Sequence, residues 1–213
     1  MRLVAEGLAC RRGARLLFEG LDLSVPAGHA LVVTGPNGTG KSSLLRILAG
    51  LAAPEAGRIR LEGADEPEQV GGQAHYLGHL DAHKLALSAQ ENLAFWRDML
   101  GRPALPVDEA MEEVGLGGLG ALPAAVLSAG QKRRLALARL LVAKRPLWLL
   151  DEPTTALDRE AQARFAALAR AHLEQGGLMV AATHAPLDLG PSLELDLGAF
   201  RPRRPAAVME AAF

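Results

Sequence analysis

The sequence predicts an α/β fold in which a helical segment interrupts a largely parallel sheet. Three observations predict it. The stretch Gly35–Ser42 reads G-x-x-x-x-G-K-S and sits between an apolar strand and a helix with apolar side chains at helical spacing. Two other apolar runs, Leu147–Leu150 and Leu178–Ala182, have strand length and end in polar pairs, Asp151-Glu152 and Thr183-His184. The stretch from Ser88 to about Lys144 reads helical, which breaks the strand–helix alternation and implies a helical subdomain inserted into the core.

Taken in order, Leu3–Leu8 and Leu16–Val25 read as strands around an Arg11–Arg15 turn. Pro26-Ala27-Gly28 separates them from the apolar, β-branched strand Ala30–Thr34. Leu44, Leu45, Ile47, Leu48 and Leu51 mark a helix from Ser43 to Leu51, with Pro54 and Gly57 expected to end it. Arg58–Leu61 and Ala74–Leu77 read as short strands. Ser88-Ala89-Gln90-Glu91 is a capping box that opens a helix to about Leu100, and a second helix covers Asp108–Val114. A third runs from Lys132 to Ala143. Asp158 caps a helix to Glu174, which Gly176-Gly177 terminates.

Composition bounds the function. The 213 residues suit one domain; 49% are hydrophobic but only 4% aromatic, so Leu, Val and Ala must fill the core. A net charge of −1 argues against nucleic acid as a partner. Cys10 is the single cysteine, which excludes an internal disulfide and fits a reducing compartment. The N-terminus has no secretory apolar region, and no run approaches the ~20 apolar residues of a membrane span.

The chemistry-bearing residues follow from the motifs. Gly35, Pro36, Asn37, Gly38, Thr39 and Gly40 would wrap backbone amides around phosphates at a helix N-terminus, together with Ser43. Lys41 would reach the β- and γ-phosphates, and the Ser42 hydroxyl would ligate Mg2+ with Asp151. Glu152 would orient and polarise an attacking water as general base. His184, at the end of its strand, faces the same crevice and can hydrogen-bond a γ-phosphate; without the neighbouring motifs it would be a plain surface histidine. Leu127-Ser128-Ala129-Gly130-Gln131 opens a helix, and its residues alone fit either a second anion site or an ordinary cap.

Gly35–Ser42, Leu127–Gln131, Leu147–Glu152, Thr155–Asp158 and His184 resemble, in order and spacing, the Walker A, signature, Walker B, D-loop and switch-histidine motifs of ATP-binding cassette (ABC) ATPases. The resemblance spans Leu3 to about Leu197. It implies a P-loop NTPase with a RecA-like core, an antiparallel β subdomain and an inserted helical subdomain over about 88–144. It leaves 198–213 as a tail, of which Arg201–Pro205 is basic. It implies ATP and Mg2+ as ligands and a head-to-tail homodimer, with the signature of one subunit closing the site of the other. It gives Asp158 the D-loop position. Three departures stand out. Ala129 replaces a signature glycine and requires a negative φ. Arg12 stands where an aromatic ring usually stacks on adenine. His79 stands where the coupling loop usually carries Gln.

Tyr76–His79, Lys84, Glu91–Trp96, Gln175–Gly177 and Thr183–Leu187 further resemble the ATP-binding subunits of the bacterial cytochrome c maturation system, the heme exporters. That resemblance implies integral-membrane partner subunits, a peripheral position on the cytoplasmic face of the inner membrane, and hydrolysis that powers heme delivery. A cassette serving another substrate (lipid, drug or metal) is the alternative. His75, His79 and His83 are spaced by four, but Ala74–Leu77 reads as strand, which argues against a helical ligand set. His79 either takes the Gln role or only fills a turn after Gly78.

Overall fold

The computed structural model describes residues 1–190 and 192–202. Two sheets organise the described residues. Strands β1 (Arg2–Arg12), β2 (Arg15–Pro26) and β4 (Ala56–Glu62) form an antiparallel sheet in the order β2-β1-β4. Strands β3 (Ala30–Thr34), β5 (Ala74–Leu77), β6 (Leu147–Asp151), β7 (Leu178–Ala182) and β8 (Ser192–Asp196) form a parallel sheet ordered β5-β6-β7-β3-β8. β6 and β7 are buried at every residue, which is why both read as uninterrupted apolar runs.

Among the described residues five α-helices complete the fold: α1 (Lys41–Leu48), α2 (Ala89–Leu100), α3 (Val107–Glu113), α4 (Ala129–Val142) and α5 (Arg159–Glu174). Helices α2, α3 and α4 pack on one another, with no strand between β5 and β6 among the described residues. They are not a separate core. Leu93, Met111, Leu135 and Leu140 join Trp148, Leu150, Phe165 and Met179 in one hydrophobic cluster on one face of the parallel sheet. The other face, with Leu31, Val33, Leu149 and Val180, packs with α1 and the antiparallel sheet through Leu44, Leu48, Phe18 and Leu61.

Several boundaries differ from expectation. α1 stops at Leu48 instead of Leu51, ahead of Pro54, because Gly50 takes a left-handed φ of 69°. The Gly50 amide donates to the Ile47 carbonyl and the Leu51 amide to that of Arg46, a glycine-closed Schellman end. β1 continues past Leu8 to Arg12, through irregular register opposite β2. α4 begins at Ala129, not Lys132, since Ser128 caps it directly. β8 was not expected; it is an edge strand with mostly exposed residues and no apolar run to announce it. The turn of 3-10 helix Leu197–Phe200 is part of the fold and not of a tail. Leu197 is fully buried and Phe200 packs on the second cluster. Most of the basic Arg201–Pro205 stretch and the rest of the tail lie outside the described residues.

Candidate active site

The C-terminal ends of β3, β6 and β7 point to one side of the parallel sheet, where an open α/β sheet binds its ligands. There, a cleft of about 380 Å3 is lined by Arg12, Arg15, Leu17, Asn37, Gly38, Gly40, Lys41, Ser42, Ser43, His79, Asp151, Glu152 and His184. Residues from five separated stretches therefore meet in one place, and all but Arg15 and Leu17 are expected from the sequence. Arg15 follows directly from the Arg11–Arg15 hairpin tip; Leu17 carries no polar signal that could have marked it.

The loop between β3 and α1 is built to hold an anion. Gly35 and Gly40 adopt φ values of 127° and 109°, where side chains are strained. A Cβ on Gly40 would lie 3.1 Å from the Phe18 ring. α1 has no side-chain N-cap and no acidic residue in its first turn. By contrast, α2, α4 and α5 are capped by Ser88, Ser128 and Asp158. The first α1 amides are thus left to a negatively charged ligand, which the helix dipole also favours. Thr39 is buried and its hydroxyl donates to the Pro36 carbonyl at 2.9 Å, which fixes the loop internally.

Lys41 is 9% exposed; its Nζ donates to the Gly35 carbonyl at 2.7 Å and lies 3.0 Å from His184 Nε2. The same Nε2 is 3.2 Å from Asn37 Oδ1. One ring nitrogen cannot accept from Lys41 and donate to Asn37 in the same tautomer, so His184 can exchange between the two partners. Glu152 follows the buried Asp151 and has a left-handed φ of 47°, unusual for any non-glycine residue and more so before Pro153. Its amide donates to the Ala182 carbonyl at 2.8 Å, and its Oε2 accepts from the Thr183 hydroxyl at 3.2 Å.

Other expected residues sit elsewhere. Gly35, Pro36 and Thr39 shape the loop without lining the cleft. Neither Leu127–Gln131 nor Asp158 lines it. Ser128 and Gln131 form a reciprocal capping box. Ala129 is exposed in the first turn and is not among the positive-φ residues, so its methyl is tolerated there. Asp158 Oδ1 accepts the Ala161 amide at 2.8 Å.

The histidines spaced by four do not converge. His75 is buried in β5 and bonds the Ala143 carbonyl at 2.8 Å, His83 bonds the Lys132 carbonyl at 2.9 Å, and His79 lines the cleft. Burial pushes His75 down to about 4 and lowers His83. Among the described residues no group of three or more His, Cys, Asp or Glu could hold a metal. A dedicated protein cage is therefore absent there. Ser42 and Asp151 instead offer two oxygen donors on the cleft wall, the sparse set that suits Mg2+ shared with phosphates.

A model of the ABC transporter family matches residues 18–155. The Nitrobacter winogradskyi protein named cytochrome c biogenesis ATP-binding export protein CcmA is 56% identical, covering 93% of this chain and 98% of its own. Its namesake in Brucella abortus is 49% identical, covering 94% and 97%. A putative ABC transporter ATP-binding protein from Pyrococcus furiosus superposes with a TM-score of 0.82 at 21% identity, covering 95% of this chain and 100% of its own. A dimeric ATP-binding cassette in a post-hydrolysis state with ADP and phosphate gives a TM-score of 0.77 at 21% identity, covering 92% and 95%.

Proposed function

The chain belongs to the ABC transporter family, and we propose that it is the ATP-hydrolysing subunit of an exporter that serves cytochrome c biogenesis. One observation carries the hydrolytic part: Lys41, Ser42, Asp151, Glu152 and His184 converge on one cleft beside an uncapped helix N-terminus. The near full-length likeness to proteins named for cytochrome c biogenesis supports the pathway. Heme is the transported or delivered group in this reading.

The triphosphate lies in the Gly35–Ser43 cradle, and Lys41 exchanges the Gly35 carbonyl for β- and γ-phosphate oxygens. Ser42 and Asp151 would hold Mg2+, which would offset phosphate charge when bound. Glu152 orients a water in line with the γ-phosphorus and takes its proton as the new P–O bond forms and the bond to the ADP oxygen breaks. The Thr183 hydroxyl occupies Oε2 and so leaves Oε1 for that water. His184 Nε2 donates to the γ-phosphate. Arg12 stacks its guanidinium on the base.

The signature residues lie off this cleft, which supports a head-to-tail homodimer in which Leu127–Gln131 of one subunit, with Asp158 nearby, closes the site of the other. Integral-membrane subunits are the second partner. Leu80 is 86% exposed and Val126 67%, and the Leu85 carbonyl bonds the Ala125 amide, so apolar side chains gather on and beside the loop after β5. No described helix is long and apolar enough to cross a membrane. In this reading the subunit sits peripherally, on the cytoplasmic face of the inner membrane, bound through those partners. Residues 88–144 act as the inserted helical part of a single ATPase domain.

Glu152→Gln tests the assignment. ATP should bind and hold two subunits together uncleaved, so sizing in ATP and magnesium should give a dimer where wild type is mostly monomer. A monomer at saturating ATP, or hydrolysis at the wild-type rate, would count against both the dimer and the role of Glu152.

A further inference from the structure

The side chain of Arg133, in the second turn of α4, is buried beneath the catalytic strand end. Its guanidinium is fully committed. Nε donates to the Pro153 carbonyl at 3.1 Å, Nη1 to the Gly78 carbonyl at 3.2 Å and Asp81 Oδ1 at 2.8 Å, and Nη2 to the Asp151 and Glu152 carbonyls at 2.8 and 2.7 Å. An Arg side chain has five N–H groups in a rigid fork, and each has an acceptor here. Three of those acceptors are the successive carbonyls of the turn that carries Glu152. The other two belong to the loop on which His79 lies.

That turn needs holding. Glu152 has a φ of 47° ahead of a proline, a conformation its backbone does not favour unaided. Such strain persists only where surrounding groups over-determine it. The Glu152 amide and one carboxylate oxygen are fixed from β7 and the residue after it, and Arg133 fixes the carbonyls from the opposite side. Because the same planar group grips Gly78 and Asp81, a displacement of that loop moves the fork and with it the turn.

We propose that Arg133 is a positioning residue of the hydrolytic site. It holds the Asp151–Pro153 turn so that Glu152 meets the attacking water, and it ties the Gly78–Asp81 loop to that turn. Arg133 does not line the cleft, so it sets the chemical step and not nucleotide affinity. The inference rests on the reading of Glu152 as general base.

The test compares the purified full chain as wild type, Arg133→Lys, Asp81→Asn and Glu152→Gln, measuring kcat and KM for ATP and the affinity for a non-hydrolysable ATP analogue. A lysine keeps the charge but cannot reach the spread acceptors, so Arg133→Lys should lower kcat by about tenfold or more while KM and analogue affinity stay within about threefold. Asp81→Asn leaves the fork in place and removes one charged acceptor; kcat should fall about two- to fivefold, again at constant KM. The proposal is overturned if Arg133→Lys keeps kcat within about threefold, or if KM rises in step with the loss of kcat. Should Arg133→Lys fail to fold, Asp81→Asn decides, and an unchanged kcat there overturns the proposal. Glu152→Gln separates the two levels. If it hydrolyses at the wild-type rate, the base assignment falls and the proposal with it; if it is inactive while Arg133→Lys and Asp81→Asn are not impaired, only the proposal falls.

Discussion

Acidification should destabilise this fold through two histidines, one buried and one half-buried. His75 is 2% exposed in β5 and bonds the Ala143 carbonyl; His172 in α5 stacks on Trp148 with ring centroids 4.0 Å apart and bonds the Leu178 carbonyl. Burial lowers both from 6.5 to about 4, and the nearby Arg139 and Arg145 oppose a charge on His75 further. The folded state therefore binds fewer protons than the unfolded chain between those values. Stability is complete above pH 6.5 and is lost as pH falls from 6.5 toward 4. Between pH 7 and pH 5, each histidine costs the folded state about 2 kcal/mol, so the pair costs about 4 kcal/mol. That is a large part of the 5 to roughly 15 kcal/mol expected of a domain. Urea unfolding at the two pH values measures it. In a double variant, His75→Gln with His172→Phe, neither position titrates, and phenylalanine keeps the stack on Trp148. That variant should be less stable at pH 7 but should lose about 4 kcal/mol less than wild type on acidification. Equal losses in the two proteins would refute the reasoning.

Lys41→Ala should abolish ATP hydrolysis, since the phosphates lose their positioned cation; unchanged hydrolysis and unchanged analogue affinity by calorimetry would contradict that. Gly40→Ala places a Cβ against Phe18 at a φ of 109° and should cost about 1–3 kcal/mol of stability by urea unfolding, with weaker nucleotide binding. His79 lines the cleft, and neutral imidazole can present one acceptor nitrogen where Gln presents a carbonyl. His79→Gln should therefore keep much of the hydrolysis. His79→Ala should lose stimulation by the membrane subunits more than basal turnover, and stimulation equal to wild type would leave His79 as a turn residue.

The sequence carries the parts of this site that are local. Gly35–Ser42 needs only its own strand, loop and helix to be read, and Leu147–Leu150 and Leu178–Ala182 are buried on both faces, so their apolar runs and polar ends are plain. Capping residues Ser88, Ser128 and Asp158 are legible for the same reason, since a cap involves residues three positions apart. What escaped depends on distant partners. β8 does alternate, with Leu193 and Leu195 between Ser192, Glu194 and Asp196, but over only five residues that bury little at a sheet edge, and its pairing with β3 is what makes it a strand. Arg133 looks like one of several basic residues on α4. Its role comes from acceptors up to 55 positions away, which no periodicity reports. The left-handed Glu152 is likewise invisible, because the sequence around it has no glycine to advertise the turn.

Heme-stained c-type cytochromes in cells whose only copy of this chain carries Glu152→Gln give the most direct test of the central claim. Only c-type cytochromes require covalent heme attachment, so the account predicts that they fall to background while b-type cytochromes remain. Wild-type levels of c-type cytochromes in those cells, with the variant protein present and inactive as an ATPase, would contradict it.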